Sequence, residues 1–198
     1  MRRGLRPPAA CHHRAEAFPP PFHPMTASTE ILIRPVSASD DLQQLTDLIH
    51  SAYAPHGAQG LRYWGTHQSV EDTAKRYASG HGLVMLEGDK YVGTITLRPP
   101  QPESPVALYR DPGVWTFCQF CISPDAKGRG YGKQLHTYAT AFAQQAGASV
   151  MGLDTAQPAS TLIAMYESWG YHVVGECDWR PLTNYTSVVM SRTLAEGA

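Results

Sequence analysis

The chain has few cysteines, little charge of either sign and no long apolar run, and each shortage removes a class of protein. Four cysteines in 198 residues are too few for a disulfide-built scaffold. No apolar stretch reaches the roughly 18 residues that span a bilayer, so no membrane-crossing helix is expected. Charged residues make up 17% of the chain and the formal net charge is -1, a balance that does not suit a polyanion such as nucleic acid. The near-neutral total hides a split. Residues 1–28 carry Arg2, Arg3, Arg6 and Arg14 against Glu16, a net of +3, which leaves 12 basic and 16 acidic residues in 29–198, a net of -4.

A chain of this length is expected to form one compact domain with something appended. Residues 1–28 hold six of the 16 prolines and no periodic apolar pattern, so burial cannot offset the entropy of ordering them. This segment is therefore read as a disordered tail. Its Arg2-Arg3 start lacks the apolar stretch of a secretory leader, and Pro7, Pro8, Pro19, Pro20 and Pro21 break the helix of a mitochondrial one. The expectation is an over-extended start with Met25 as the true first residue, and a cytoplasmic domain, monomeric or homodimeric, over 29–198. Cys11 with His12, His13 and His23 has no fixed geometry to hold a metal, and none is expected.

Apolar periodicity lays out the domain. Residues 30–36 alternate as a strand. Ser39 or Asp40 can cap a helix that carries Leu42, Leu45, Leu48, Ile49 and Ala52 at helical spacing. Residues 55–68 read as a loop rich in glycine, histidine and aromatics, and 69–78 as a second helix. Two strands, 81–86 and 91–97, flank a turn. The proline-rich loop 99–113 is long for a compact domain, which marks it as functional or mobile. Residues 114–123 form a continuous apolar run, the pattern of a buried central strand. Helix 133–146 stops at Gly147, strand 149–153 follows, helix 158–169 closes at Gly170, and strands 171–174 and 187–191 finish the chain. The order β-α-α-β-β-β-α-β-α-β-β predicts a mixed α/β domain with one core.

Chemistry concentrates in Lys127-Gly128-Arg129-Gly130-Tyr131-Gly132-Lys133, between a strand and a helix. Glycines let a ligand approach the backbone, and the first amides of the helix have no intrahelical acceptor. With three cations beside them they suit a pyrophosphate; the alternative is a solvated glycine turn. A P-loop would need Ser or Thr at Gln134 and glycine at Lys127, and a dinucleotide fingerprint from Gly128 would need glycine at Lys133. Neither pattern is met. The segment does resemble the (Gln/Arg)-x-x-Gly-x-(Gly/Ala) signature of the GNAT N-acetyltransferase superfamily, with Lys127 at the first position. Phe120-Cys121-Ile122 is similar to the end of that family's fourth strand. Met165-Tyr166-Glu167-Ser168-Trp169-Gly170-Tyr171 looks like its apolar-Tyr-Glu-x-x-Gly-aromatic segment.

The resemblance implies a centrally splayed mixed sheet flanked by helices, and acetyl-CoA as the acyl donor, attacked directly by an amine of a small molecule, peptide or protein. It implies main-chain binding of the pantetheine arm at Phe120, Cys121 and Ile122, with an amide near Ile122 facing the developing oxyanion. It also implies that the turn from Lys127 to Lys133 holds the phosphates and that Tyr166 protonates the departing sulfur. Without that context Tyr166 would read as a half-buried helix tyrosine. Histone-type members carry a glutamate where Thr116 stands. Ribosomal-protein-type members carry one where Asp154 stands, which makes Asp154 a candidate base or, alternatively, an N-cap of the next helix. An asparagine of that second group is replaced by Ala159, with Ser160 and Thr161 beside it. Tyr53, His56, Tyr63, Trp64 and His67, with Tyr109, Arg110 and Asp111, are expected either to wall the acceptor site or to cover the core edge; Tyr53, Tyr63 and Trp64 are the residues favoured for substrate. Cys118 and Cys121, three apart on a strand, are expected on opposite faces as core residues, and Cys177 has no assigned role. A non-catalytic acyl-CoA-binding module is the alternative to an enzyme.

Overall fold

A computed structural model describes residues 30–194 of the chain. The tail read over 1–28, with its proposed start at Met25, lies outside the described residues. Seven strands form one sheet: β1 (Ile31–Pro35), β2 (His81–Glu87), β3 (Lys90–Arg98), β4 (Val114–Ile122), β5 (Val150–Ala156), β6 (His172–Asp178) and β7 (Thr186–Thr193). They stand in the order β1-β2-β3-β4-β5-β7-β6, and every neighbouring pair is antiparallel except β4 and β5. Four helices flank the sheet: α1 (Leu42–Ala58), α2 (Val70–Ala78), α3 (Tyr131–Gln145) and α4 (Ser160–Ser168). The expected element order and mixed α/β architecture are borne out.

The two sheet faces bury different helices. Leu83, Met85, Ile95, Leu97, Phe117, Met151 and Leu153 meet Leu135, Ala139 and Ala143 of α3 and Tyr166 of α4 on one face. On the other, Val84, Leu86 and Cys121 meet Leu45, Leu48 and Ile49 of α1 and Tyr77 of α2. The alternation of β2, with Val84 on one side and Leu83 and Met85 on the other, is the period-two signature of a strand covered on both faces. Each such leucine or valine contributes roughly 1.5–3 kcal/mol on full burial.

Local chemistry moves three expected features. The cap of α1 is Asp41, whose carboxylate accepts from the amides of Gln43 (2.9 Å) and Gln44 (3.1 Å). Asp40 is instead held by Arg34 (2.8 and 2.6 Å), the Ser37 amide (2.7 Å) and the Tyr91 hydroxyl (2.7 Å). The Arg34 guanidinium, more than any other partner, holds the Asp40 carboxyl well below the usual range. Second, α1 does not stop before Pro55 but runs through it to Ala58. So close to the helix end, the missing donor of proline removes a single ladder bond, and only three residues follow. Third, Cys118 and Cys121 share a face, because a bulge between them adds a residue to β4. Thr96 and Thr94, two apart on β3, stand opposite Cys118 and Cys121, three apart on β4. Both thiols are free. Among the described residues no helix is long and apolar enough to cross a membrane, and no cluster of His, Cys, Asp or Glu could hold a metal.

Candidate active site

The parallel pairing of β4 and β5 covers only Val114–Val150, Trp115–Met151 and Thr116–Gly152. Beyond it the two strands run on, to Ile122 and to Ala156, without pairing to each other. Their divergence opens a cleft of about 1020 Å³ through the middle of the sheet. The backbone along it has lost its ladder partners, so side chains take their place: the Tyr53 hydroxyl donates to the Phe120 carbonyl (3.3 Å), and the Ala156 amide donates to the Tyr63 hydroxyl (3.3 Å).

The bulge sits at the centre of this opening. Gln119 has a φ of 53°, the only positive φ of a non-glycine residue among those described, and its side chain is buried. A left-handed glutamine costs about 1–2 kcal/mol of backbone strain, and the surroundings hold it there. The Gln119 side-chain amide donates to Thr96 Oγ1 (2.9 Å), and Gln68 Nε2 donates to Gln119 Oε1 (2.8 Å) and to Thr73 Oγ1 (2.7 Å). The end of the α1–α2 connection is thereby tied to the point where β4 turns its main chain toward the cleft.

One end of the cleft is built of backbone. Gly128 and Gly130 each have φ of 78°, and Gly130 caps α3, whose first ladder bond runs from the Gln134 amide to the Gly130 carbonyl (3.1 Å). The amides of Tyr131, Gly132 and Lys133 precede that bond and have no acceptor within the helix. Gly132 lies against the end of β4, with space for a Cβ at 3.7 Å from Ile122. Phe120, Cys121, Ile122, Lys127, Gly128, Gly130, Tyr131, Gly132 and Lys133 all line the cleft. Arg129 does not. Its guanidinium is taken by a bidentate pair with Glu87, which also accepts from the Tyr131 hydroxyl (3.0 Å), so the expected three-cation site keeps only Lys127 and Lys133. The Lys133 ammonium stands 4.9 Å from the centre of the Trp169 ring. Cys121 is buried, which pushes its thiol up to about 12 and keeps it out of ionic chemistry.

Tyr166 stands on α4 beside this end. It is buried among Phe117, Trp169 and Tyr171, yet lines the cleft, and its hydroxyl takes no partner among the described residues. Burial drives its pKa far above the ordinary tyrosine value, so the group stays protonated at any working pH.

The other end is built of side chains from separate segments. Asp154 of β5 faces the cleft and accepts from the Tyr109 hydroxyl (2.9 Å) on one oxygen and from the Trp179 indole (2.9 Å) on the other. It does not cap α4, whose N-cap is Ala159 with no side-chain bond. Tyr109 belongs to the 99–113 loop, which is docked rather than loose: Tyr109 is buried and its carbonyl accepts from the Gln101 amide (2.7 Å). Burial, and then Asp154 itself, hold the Tyr109 hydroxyl protonated, as a donor to that carboxylate must be. The aromatic wall is Tyr53, His56, Tyr63 and Tyr185, whose neighbouring ring centres lie 5.0 to 6.0 Å apart, with Trp64 beside it. Gly65 makes room for it, since a Cβ there would stand 2.8 Å from the Tyr53 ring. Tyr53, Tyr63 and Trp64 thus line the cleft together, whereas His67, Arg110 and Asp111 fall outside its lining.

Residues 42–171 match the model of the acetyltransferase (GNAT) family. The chain belongs to that family. Over 140 residues it is 31% identical to S-(2-succino)cysteine N-acetyltransferase of Bacillus subtilis, spanning 70% of this chain and 82% of that one. Its GNAT fold is also seen in a protein of Pyrococcus horikoshii (TM-score 0.66, 20% identity, 84% of this chain and 99% of that one). A third relative is a GNAT acetyltransferase of Elizabethkingia anophelis crystallised with acetyl-CoA (TM-score 0.59, 14% identity, 83% and 98%). Within the GNAT frame, Thr116 accepts from the Gln101 side chain (3.0 Å), and neither Ser160 nor Thr161, beside Ala159, lines the cleft. Sequence reasoning missed Gln68, Gln119 and Trp179. No local pattern marks them, because each acquires its place only when distant segments meet.

Proposed function

We propose that the protein transfers the acetyl group of acetyl-CoA to the amine of a small molecule, by direct attack of the neutral amine on the thioester. The observation that carries this reading is the Tyr166 hydroxyl: protonated, unpartnered and set in the cleft beside the glycine turn. The amides opening α3, with Lys127 and Lys133, hold the pyrophosphate. The pantetheine arm lies along the unpaired edge of β4, and a main-chain amide near Ile122, set by the Gln119 bulge, faces the oxyanion. Asp154 accepts the amine proton, directly or through one water. Two of the roughly four acceptor positions of its carboxylate are filled, by Tyr109 and Trp179, which leaves capacity for a third donor. As the carbon–sulfur bond breaks, Tyr166 gives its proton to the thiolate. The products are an N-acetyl amine and CoA.

The name of the Bacillus relative puts S-substituted cysteines first among acceptors to try. The test is a thermal-shift series with acetyl-CoA, longer acyl-CoAs and ATP, followed by an amine panel with the preferred donor. Acetyl-CoA at a hundredfold excess over Kd should stabilise the domain by about 2.7 kcal/mol. A response to ATP with none to any CoA overturns the assignment, and CoA binding without transfer to any amine leaves a binding module.

A further inference from the structure

The acceptor end of the cleft holds two arginines with no ion-pair partner among the described residues. Arg76 on α2 lines the cleft half-buried, and its guanidinium has neither a hydrogen-bond nor an ion-pair partner among the described residues, whose four ion pairs all lie elsewhere. Arg98, at the end of β3, also lines it and is held by neutral groups only: Ser79 Oγ (3.2 Å from Nη2) and Gln101 Oε1 (3.3 Å from Nη1). Ser79 in turn donates to the Arg76 carbonyl (2.8 Å), and Gln101 donates to Thr116 Oγ1 on the floor of the cleft (3.0 Å), so a chain of bonds sets this rim. Two carboxylates share the cleft, and neither is ion-paired with Arg76 or Arg98. Asp72 accepts from the Ser69 amide in the cap of α2, and Asp154 holds Tyr109 and Trp179. An uncompensated guanidinium half out of water is unfavourable until an anion arrives, and its planar fork matches a carboxylate.

We propose that the acceptor is an amine that also bears carboxylate, and that Arg76, with Arg98 behind it, is the group that selects it. This rests on the acetyl-transfer reading given above and names its substrate class. The carboxylate goes to the cationic rim and the amine to Asp154, so the two charges of one small zwitterion are held at two points. Neutral or purely cationic amines meet only half of that arrangement.

The probe is a graded series of acceptors of one shape: S-carboxymethylcysteine, S-methylcysteine and 2-(methylthio)ethylamine, which bear two, one and no carboxylates. Thiol release from acetyl-CoA should show kcat/KM falling about tenfold or more from the first to the last. In Arg76→Gln that ratio should fall toward one, through KM for the carboxylate acceptors, while the Kd for acetyl-CoA stays within about twofold. Arg76→Glu should invert the preference. The proposal is overturned if 2-(methylthio)ethylamine is as good an acceptor as its acids, or if Arg76→Gln slows all three equally. It is also overturned if Arg76→Gln weakens acetyl-CoA binding instead, which would place the guanidinium on the cofactor. Transfer only to polyamines or peptide amines would sink this proposal and leave acetyl transfer standing; transfer to no amine at all would sink the wider reading.

Discussion

The two ends of the cleft are made of different material. The end proposed for the cofactor is main chain, two left-handed glycines and the first amides of α3, drawn from one run of seven residues against the tip of β4. The end proposed for the acceptor is side chain: Arg76 from α2, Arg98 from β3, Tyr109 from the long loop, Asp154 from β5 and Trp179 after β6. Backbone amides recognise any diphosphate of the right shape and need only glycine and a helix start. Under the reading proposed above, side chains from five segments select the acceptor. A chain can therefore keep its donor while its acceptor varies. Tyr166 and the Gln119 bulge lie between the two ends, where donor and acceptor must meet.

That contrast can be broken at its centre first. Tyr166→Phe removes the proposed proton donor while leaving the glycine turn intact, and should lower kcat by about 10²–10⁴. Wild-type turnover in this variant would take Tyr166 out of the reaction. Asp154→Asn should lower kcat/KM about 10–100-fold near pH 7, and the deficit should shrink as pH rises and the free amine fraction grows without a base. A deficit that is constant across pH would make Asp154 a structural anchor for Tyr109 and Trp179 only.

Smaller effects sharpen the same contrast. Gln68→Leu removes the bridge to Gln119 and should cost about tenfold in kcat with little change in either KM, along with a lower Tm. A lower Tm with unchanged kcat would show that the bulge does not need the bridge for its position. Gly130→Ala puts a side chain at a φ of 78° where no atom stands within 4 Å, so the penalty is conformational, about 1–2 kcal/mol. Its KM for acetyl-CoA should rise about tenfold while the acceptor KM holds, and equal changes in both would erase the distinction between the ends.

The same difference in material decides what could be read from the chain. The run from Lys127 to Lys133 and the segment around Tyr166 are contiguous and carry their own spacing, so the glycine turn before α3 and the placement of Tyr166 on α4 were legible. Asp154 could be placed by its distance from Tyr166, and the structure removes its alternative role as a cap. Other features depended on which of two neighbours won. Asp40 and Asp41 are equally good caps until Arg34 and Tyr91 claim the first. Arg129 looked like a phosphate ligand because Glu87, forty-two residues away in sequence, leaves no trace beside it. The bulge was hidden because its residue is a glutamine rather than a glycine, held in a strained conformation by Gln68 and Thr96. That hidden residue also overturns the strand arithmetic for Cys118 and Cys121.

The most direct test of the division between the two ends is calorimetric titration of acetyl-CoA into wild type, Gly130→Ala, Asp154→Asn and Tyr166→Phe. Only Gly130→Ala should weaken binding, by about tenfold, with the other two within about twofold of wild type. Weakening by tenfold or more in Asp154→Asn or Tyr166→Phe, with Gly130→Ala unaffected, would contradict a cofactor site built from the glycine turn and a separate site for the acceptor.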